Sequence, residues 1–384
     1  MKLAFNLSFK NLYGAGLRTF LNVLVLSFSF VIIIFLNSIM DGWNAQAKRD
    51  TVAWEYGNGH LRYKDYDPVD SYSILDGHGT IPLNSTGLTP ILIHQASIYP
   101  QGRMMGIVLK GIPTDQTTIT LPTQQLEEST AQFPVLIGKR FAESAKLSVG
   151  DNVLIRWRDS NGTFDANTVT VAAIFDSNVS TIDESQLWIS LDTLWEMTDL
   201  SNEATFFIAD ASFESLQSDD WIFKSQKQLL STIEDLIATK KISVSILYIL
   251  LLAIALLAIF DTQVLSIFRR QKEIGTYIAL GMTRSKVVTL FTIEGSLYSI
   301  FALILASLYG TPFFIFLANT GIAVTEADKE MGLAIADRIF PVYGFSLIIG
   351  TIVLVILSST IVSFLPARKI SKINPVLALK GKQQ

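Results

Sequence analysis

The chain has 384 residues, 49% of them hydrophobic, with a mean hydropathy of +0.40, a balance that excludes a disordered chain and an ordinary soluble enzyme. Lys and Arg number 30 against 34 Asp and Glu, a formal net charge of −4, so no overall positive field exists to hold nucleic acid. Cysteine is absent, which removes disulfide scaffolds, thiol catalysis and cysteine-ligated zinc.

Taken in chain order, residues 1–18 come first, where Phe5, Phe9, Leu12 and Tyr13 form one apolar face beside Lys2 and Lys10. That pattern predicts an amphipathic helix lying in the membrane interface. Phe20 to Met40 then runs without a charge, giving a first span over 19–40. Ala45-Gln46-Ala47 follows it like a cleavage site, but the apolar run exceeds the 7–15 residues of a signal core. Three further spans are expected at 243–268, 290–318 and 342–365, joined by loops at 269–289 and 319–341 and followed by a tail at 366–384.

Residues 41–240 read as a mixed α/β domain inserted between the first and second spans. Val153, Ile155 and Trp157 alternate with Leu154, Arg156 and Arg158; Asn161-Gly162 offers a turn, and Val169, Val171, Ala173 and Phe175 continue the alternation, which predicts a hairpin. Met104 to Ile112 reads as a strand and Ser190 to Met197 as a short capped helix. From Trp221 the apolar residues Leu229, Ile233 and Leu236 are spaced for a helix that continues to Arg270, roughly 75 Å at 1.5 Å per residue, half of it a stalk outside the membrane.

Basic residues orient these segments. Lys2, Lys10 and Arg18 precede the first span, five basic residues stand against Glu273 in loop 269–289, and the tail is basic without acids; all three belong in the cytoplasm. Residues 41–240 hold 27 acids against 14 bases, and 319–341 hold four against two, so both belong outside.

The chain has no GxxxxGK[ST], HExxH, GxSxG or Rossmann-type glycine signature, so no catalytic residue is assigned and no metal or cofactor is expected to be bound by this chain. His60, His78 and His94 read as ordinary histidines in preference to metal ligands. Asp261 and Glu294 are the acids inside the spans, each near the cytoplasmic end and within reach of Arg269, Arg270 or Arg284, which favours ion pairing over a proton relay. Gly295, Ser299, Ala302, Ala306 and Gly310 form a small-residue stripe suited to close helix packing.

Loop 269–289 carries most information. Ile274, Tyr277 and Ile278 share one face of a short helix that Gly281 can end in a left-handed cap, and Thr283 can cap the next helix. Such a helix either docks in a groove of a soluble partner or lies on the inner leaflet.

The segments RRQKEIGTYIALGMTRSKV at 269–287, LPARKISKINPVLALK at 365–380 and NLSFKNLYGAGLRTF at 6–20 resemble the ABC-transporter permeases of the lipoprotein-release, macrolide-exporter and FtsX group, the mechanotransmission permeases. The segments at 137–155 and 169–194 look most like the lipoprotein-release branch, although Asn178-Val179-Ser180 replaces that branch's usual glycine. The resemblance implies an inner-membrane permease with both termini cytoplasmic, working as a homo- or heterodimer beside a cytoplasmic ATPase that holds ATP and Mg. It implies contacts to the ATPase through Glu273, Ile274, Gly275, Tyr277, Ile278, Leu280, Gly281 and Met282. Membrane lipids, a lipoprotein substrate and a periplasmic acceptor are its expected partners, with nucleic acid excluded. An FtsX-like regulator of a periplasmic hydrolase, or an exporter of peptides or hydrophobic compounds, stands as the alternative.

Overall fold

A computed structural model describes residues 17–82, 86–214, 218–324 and 338–372. Residues 1–16 of the expected interfacial helix at 1–18, the tail from 373 with Lys380 and Lys382, and residues 325–337 of loop 319–341 lie outside the described residues. The chain divides into two compact units, one holding the long helices (1–43, 237–322 and 340–384), the other built on a sheet (44–236 and 323–339).

Four helices among the described residues are long and apolar enough to cross a membrane. They run Leu17–Thr51, Gln226–Arg269, Arg284–Thr320 and Phe345–Ala367. Where they face each other the side chains are apolar or small: Leu26 and Phe30 of the first helix join Ala255 and Ile259 of the second, Leu297 and Ala302 of the third, and Val355 of the fourth in one cluster. Elsewhere the helices show broad apolar surface, with Ile246, Leu250, Ile254 and Leu257 of the second each more than half exposed. Asn22 Nδ2 donates to Thr262 Oγ1 at 2.6 Å, a polar link between the first and second helices.

The strands of the sheet unit are Gly59–Tyr63 for β1, Gly79–Thr80 for β2, Leu88–Ile98 for β3, Met105–Ile112 for β4, Pro134–Gly138 for β5, Asn152–Arg158 for β6, Phe164–Phe175 for β7, Gln186–Ser190 for β8, Glu203–Ala204 for β9, Phe206–Ala209 for β10 and Trp221–Ser225 for β11. β2 and β9 pair with each other; the main sheet has nine strands in the order β11-β1-β10-β3-β4-β8-β5-β7-β6, and β6 returns to pair with β3. β3, β4, β8, β5, β7 and β6 therefore close a six-stranded ring, and β10, β1 and β11 extend from β3 as a flap. Closure follows from the side-chain period of two. Val153, Ile155 and Trp157 all turn inward while Asn152, Leu154, Arg156 and Arg158 turn out, so the inward sets of six strands fill one core with Leu109, Val135, Val169 and Ile189.

The expected hairpin is β6–β7, with Trp157 opposite Asp165 and Gly162 at φ +83° in the turn. The short helix spans Leu191–Thr198; Ser190 stands at its N-cap position, but its side chain makes no capping hydrogen bond. The expected helix from Trp221 is corrected. Trp221–Ser225 is strand β11, paired with β1, and the helix starts at Gln226. The Trp-Ile-Phe run has high strand propensity, and Trp221 is held edge-on against Phe207 at 4.7 Å. The helix that remains has 44 residues, about 66 Å in length.

Candidate coupling site

The second long helix stops at Arg269, and after the kink at Arg270 a short helix, Gln271–Ala279, follows. Gly281, at φ +91°, ends it in the left-handed region open to glycine, with Gly281 N–H donating to Ile278 O at 3.0 Å. Thr283 then caps the third long helix, its hydroxyl accepting from Lys286 N at 3.4 Å. Helix, glycine stop and threonine cap together form a rigid elbow between two long helices.

Arg270 pins that elbow. Its Nη1 donates to both oxygens of Glu294 at 3.0 and 2.9 Å, its Nε donates to Glu273 Oε2 at 2.8 Å, and its guanidinium lies 4.8 Å from the Phe291 ring centroid. Glu294 is buried, so the pair replaces lost hydration with charge-assisted hydrogen bonds. Arg270 Nη2 is buried without a hydrogen-bond partner.

Ile274 is fully buried in a cluster with Ile267, Val287, Leu290, Phe291, Ala367 and Ile370, and Tyr277, Ile278 and Met282 pack against the same cluster. This corrects the expectation of an apolar triplet turned toward a partner's groove: the helix spends its apolar face on the chain's own second, third and fourth helices. Gly275 is buried as well, which lets the backbone approach them. The opposite side carries Lys272, Glu273, Thr276, Ala279 and Leu280, all exposed, and Leu280 is 81% exposed.

Glu294 has its ion pair, but Asp261 makes no salt bridge among the described residues, and the pairing expected for it is corrected. Thr262 and Gln263 are buried in the bundle while Asp261 is exposed. Gly295, Ser299, Ala302, Ala306 and Gly310 are all buried. A Cβ on Gly295 would stand 2.2 Å from Ser363 Oγ, and one on Gly310 would stand 3.1 Å from Val31 Cγ2, so the stripe meets the fourth helix at one end and the first at the other.

Sequence reasoning missed Gln263. It is fully buried with neither amide atom hydrogen-bonded, and its Nε2 would be 3.1 Å from a Cβ on Gly295. A glutamine inside an apolar run was the available signal. In the sheet unit the three histidines have separate partners: His60 Nε2 meets Glu55 O at 3.0 Å, His94 Nε2 meets Arg158 O at 2.6 Å, and His78 bonds Glu203. Burial drives His60 down to about 3 and lowers His94 too, so both are neutral imidazoles.

Residues 245–375 match the family model described as FtsX-like permease C-terminal. The macrolide export ATP-binding/permease protein MacB of Psychrobacter cryohalolentis is 28% identical over 179 residues, which is 47% of this chain and 25% of that protein. An uncharacterized ABC transporter permease of Methanocaldococcus jannaschii is 26% identical over 174 residues, 45% of this chain and 41% of the relative. The extracellular domain of the ABC-type transporter YknZ from Gram-positive bacteria aligns over 40% of this chain and 83% of its own at 14% identity and a TM-score of 0.25. The chain thus spans between a quarter and two-fifths of the length of these two curated relatives.

Proposed function

We propose that this chain, a member of the FtsX/MacB/LolC superfamily of ABC permeases, is a membrane subunit that relays ATP-driven movement from a nucleotide-binding partner to its sheet domain. The observation that carries the reading is the elbow at 270–283, which lies inside the matched permease region and is clamped to the bundle by Arg270 and Ile274. A force applied to its exposed face, through Glu273, Thr276, Ala279 and Leu280, is passed to three long helices because the other face is packed on them. The ATPase binds there, and ATP with Mg belongs to that partner, since this chain has no phosphate-cradling loop. The elbow lies in the cytoplasm and the sheet domain outside, as the basic loop and the acidic excursion require.

Two copies, or one copy and a paralogue, form the working unit. The cargo is an amphiphile taken from the membrane or the periplasm, a lipoprotein in the branch that segments 137–155 and 169–194 resemble. The macrolide-export relatives favour a second reading, export of a hydrophobic compound. Co-expression of the chain with candidate ATPase subunits tests the central part. The chain alone is expected to hydrolyse no ATP, and a co-purifying ATPase is expected to supply the activity. Hydrolysis by the isolated chain, free of contaminants, would refute it. Cysteines placed at Ser160 and Ser285 test the orientation, the first labelled by an impermeant reagent in intact spheroplasts and the second shielded.

A further inference from the structure

The sheet unit holds buried charge that the coupling reading does not use. Lys110 lies on β4 between Val108 and Ile112, on an apolar face, opposite Ile93 and Trp188 of the neighbouring strands. It is 6% exposed, and its ammonium sits 4.9 Å from the Trp188 ring centroid. No carboxylate or carbonyl among the described residues accepts from it. Burial holds its pKa below the usual lysine value, since an uncompensated ammonium is costly to desolvate.

Lys110 lines a cavity of about 420 Å³ that Arg62 of β1 also lines. Arg62 Nε is buried without a partner, and its Nη2 is 3.5 Å from His60 Nδ1, a neutral imidazole. Gln186 Oε1, on the same wall, is a buried acceptor without a donor, so the wall also has a place for a hydroxyl or protonated group. The three acids of the wall accept from neutral donors, Glu55 from Thr181 Oγ1 at 2.7 Å, Asp67 from Val69 N at 3.0 Å and Asp70 from Tyr72 N at 2.9 Å, and remain charged. Glu55 is the carboxylate whose charge reaches Lys110, but among the described residues neither Lys110 nor Arg62 forms a salt bridge with it or with another acid, so an anion seated between the two cations would give each a direct partner.

A second cavity, of about 580 Å³, shares Glu55, Tyr56 and Arg62 with the first. Its wall also carries Val179, Leu229, Ile233 and Leu236, alongside Asp67, Lys224, several threonines and a glutamine. Both volumes are in the range of small-molecule sites. We infer that the sheet domain binds a small acidic amphiphile, its carboxylate or phosphate between Lys110 and Arg62 and its apolar chain along Val179, Leu229 and Ile233. Arg62 stands where the cavities meet, so it touches the ligand at the junction of head and chain. This site is independent of what the membrane unit couples to, and its test does not involve the ATPase.

The test uses the full chain in lipid nanodiscs, titrated with octanoate and with octyl phosphate while tryptophan fluorescence is read, since the Trp188 ring lies against the Lys110 ammonium. Octyl glucoside, with the same chain and no charge, is the control. At least one acid is expected to saturate the signal, octyl glucoside to bind at least tenfold more weakly, and Lys110→Met to weaken the acid at least tenfold. Methionine fills the lysine's space without a buried charge, so that variant should melt no lower than the parent. The stronger acid of the two identifies carboxylate or phosphate as the natural head group. Arg62→Gln, at a half-buried position, repeats the test should Lys110→Met not fold, with at least a threefold loss expected. Absence of saturation by either acid, equal binding of octyl glucoside, or parental affinity in the variant that folds would each overturn the site.

Discussion

In the membrane unit Arg270 has ionic partners on two of its three nitrogens, Nη1 on both oxygens of Glu294 and Nε on Glu273, with the face of Phe291 alongside and Nη2 unbonded. In the sheet domain Lys110 is buried and has an aromatic face, yet no salt bridge among the described residues, Glu55 acting on it only through its field. The first arrangement is ionic and mechanical, because a buried ion pair ties the start of the short helix to the third long helix. The second is open, and an ion from outside would complete it. Burial of charge thus marks a joint in one unit and a receptor in the other, and the partner atoms tell them apart.

Breaking the joint should have the largest effect. Glu294→Ala leaves a guanidinium buried without its carboxylate and should lower stability by about 3–5 kcal/mol, read from thermal unfolding in detergent. Replacing the whole pair, Arg270→Met with Glu294→Leu, should recover most of that loss while freeing the elbow to move. A loss under about 1 kcal/mol in the single variant would mean that the pair does not hold the joint, and the contrast with Lys110 would fail.

Acid should probe the receptor side. The folded pKa of His60 is depressed to about 3 from 6.5, so its contribution is present above pH 6.5 and is lost as pH falls toward 3, where the unfolded chain binds a proton that the folded chain refuses. Between pH 7 and pH 5 this amounts to about 2 kcal/mol. Tryptophan fluorescence follows it, because five of the six tryptophans lie in the sheet domain and Trp43 alone does not. The difference between the parent and His60→Gln cancels the other titrating groups. If both lose the same stability on acidification, the imidazole is not held neutral.

The smallest effect concerns the elbow's stop. Gly281 has open space around a built Cβ and a φ of +91°, so Gly281→Ala should cost about 1 kcal/mol through backbone strain alone. A larger loss of stability would reveal packing at the stop that the open surroundings do not contain.

The four long helices were legible because a run of about 20 apolar residues has few other uses. The β6–β7 hairpin was legible because alternation and an Asn-Gly turn are local signals. The return of β6 to β3 was not, since ring closure depends on pairing between residues about 60 apart, as in Ala96 with Trp157. The elbow shows the limit most clearly. Spacing identified Ile274, Tyr277 and Ile278 as one apolar face, but a pattern within one helix does not say whether the chain itself or another protein covers that face. Lys110 was passed over for the related reason that one lysine on a strand reads as surface until the neighbouring strands are in place.

The central claim is that the ATPase meets the exposed side of the elbow while the Ile274 side stays packed on the bundle. The direct measurement is retention of the ATPase through purification by Ala279→Arg/Leu280→Arg, with unfolding recorded on the same sample. The account predicts that the ATPase is lost while stability stays within about 0.5 kcal/mol of the parent, since both positions are exposed. Full retention of the ATPase together with its activity would contradict it and move the contact to another part of the chain.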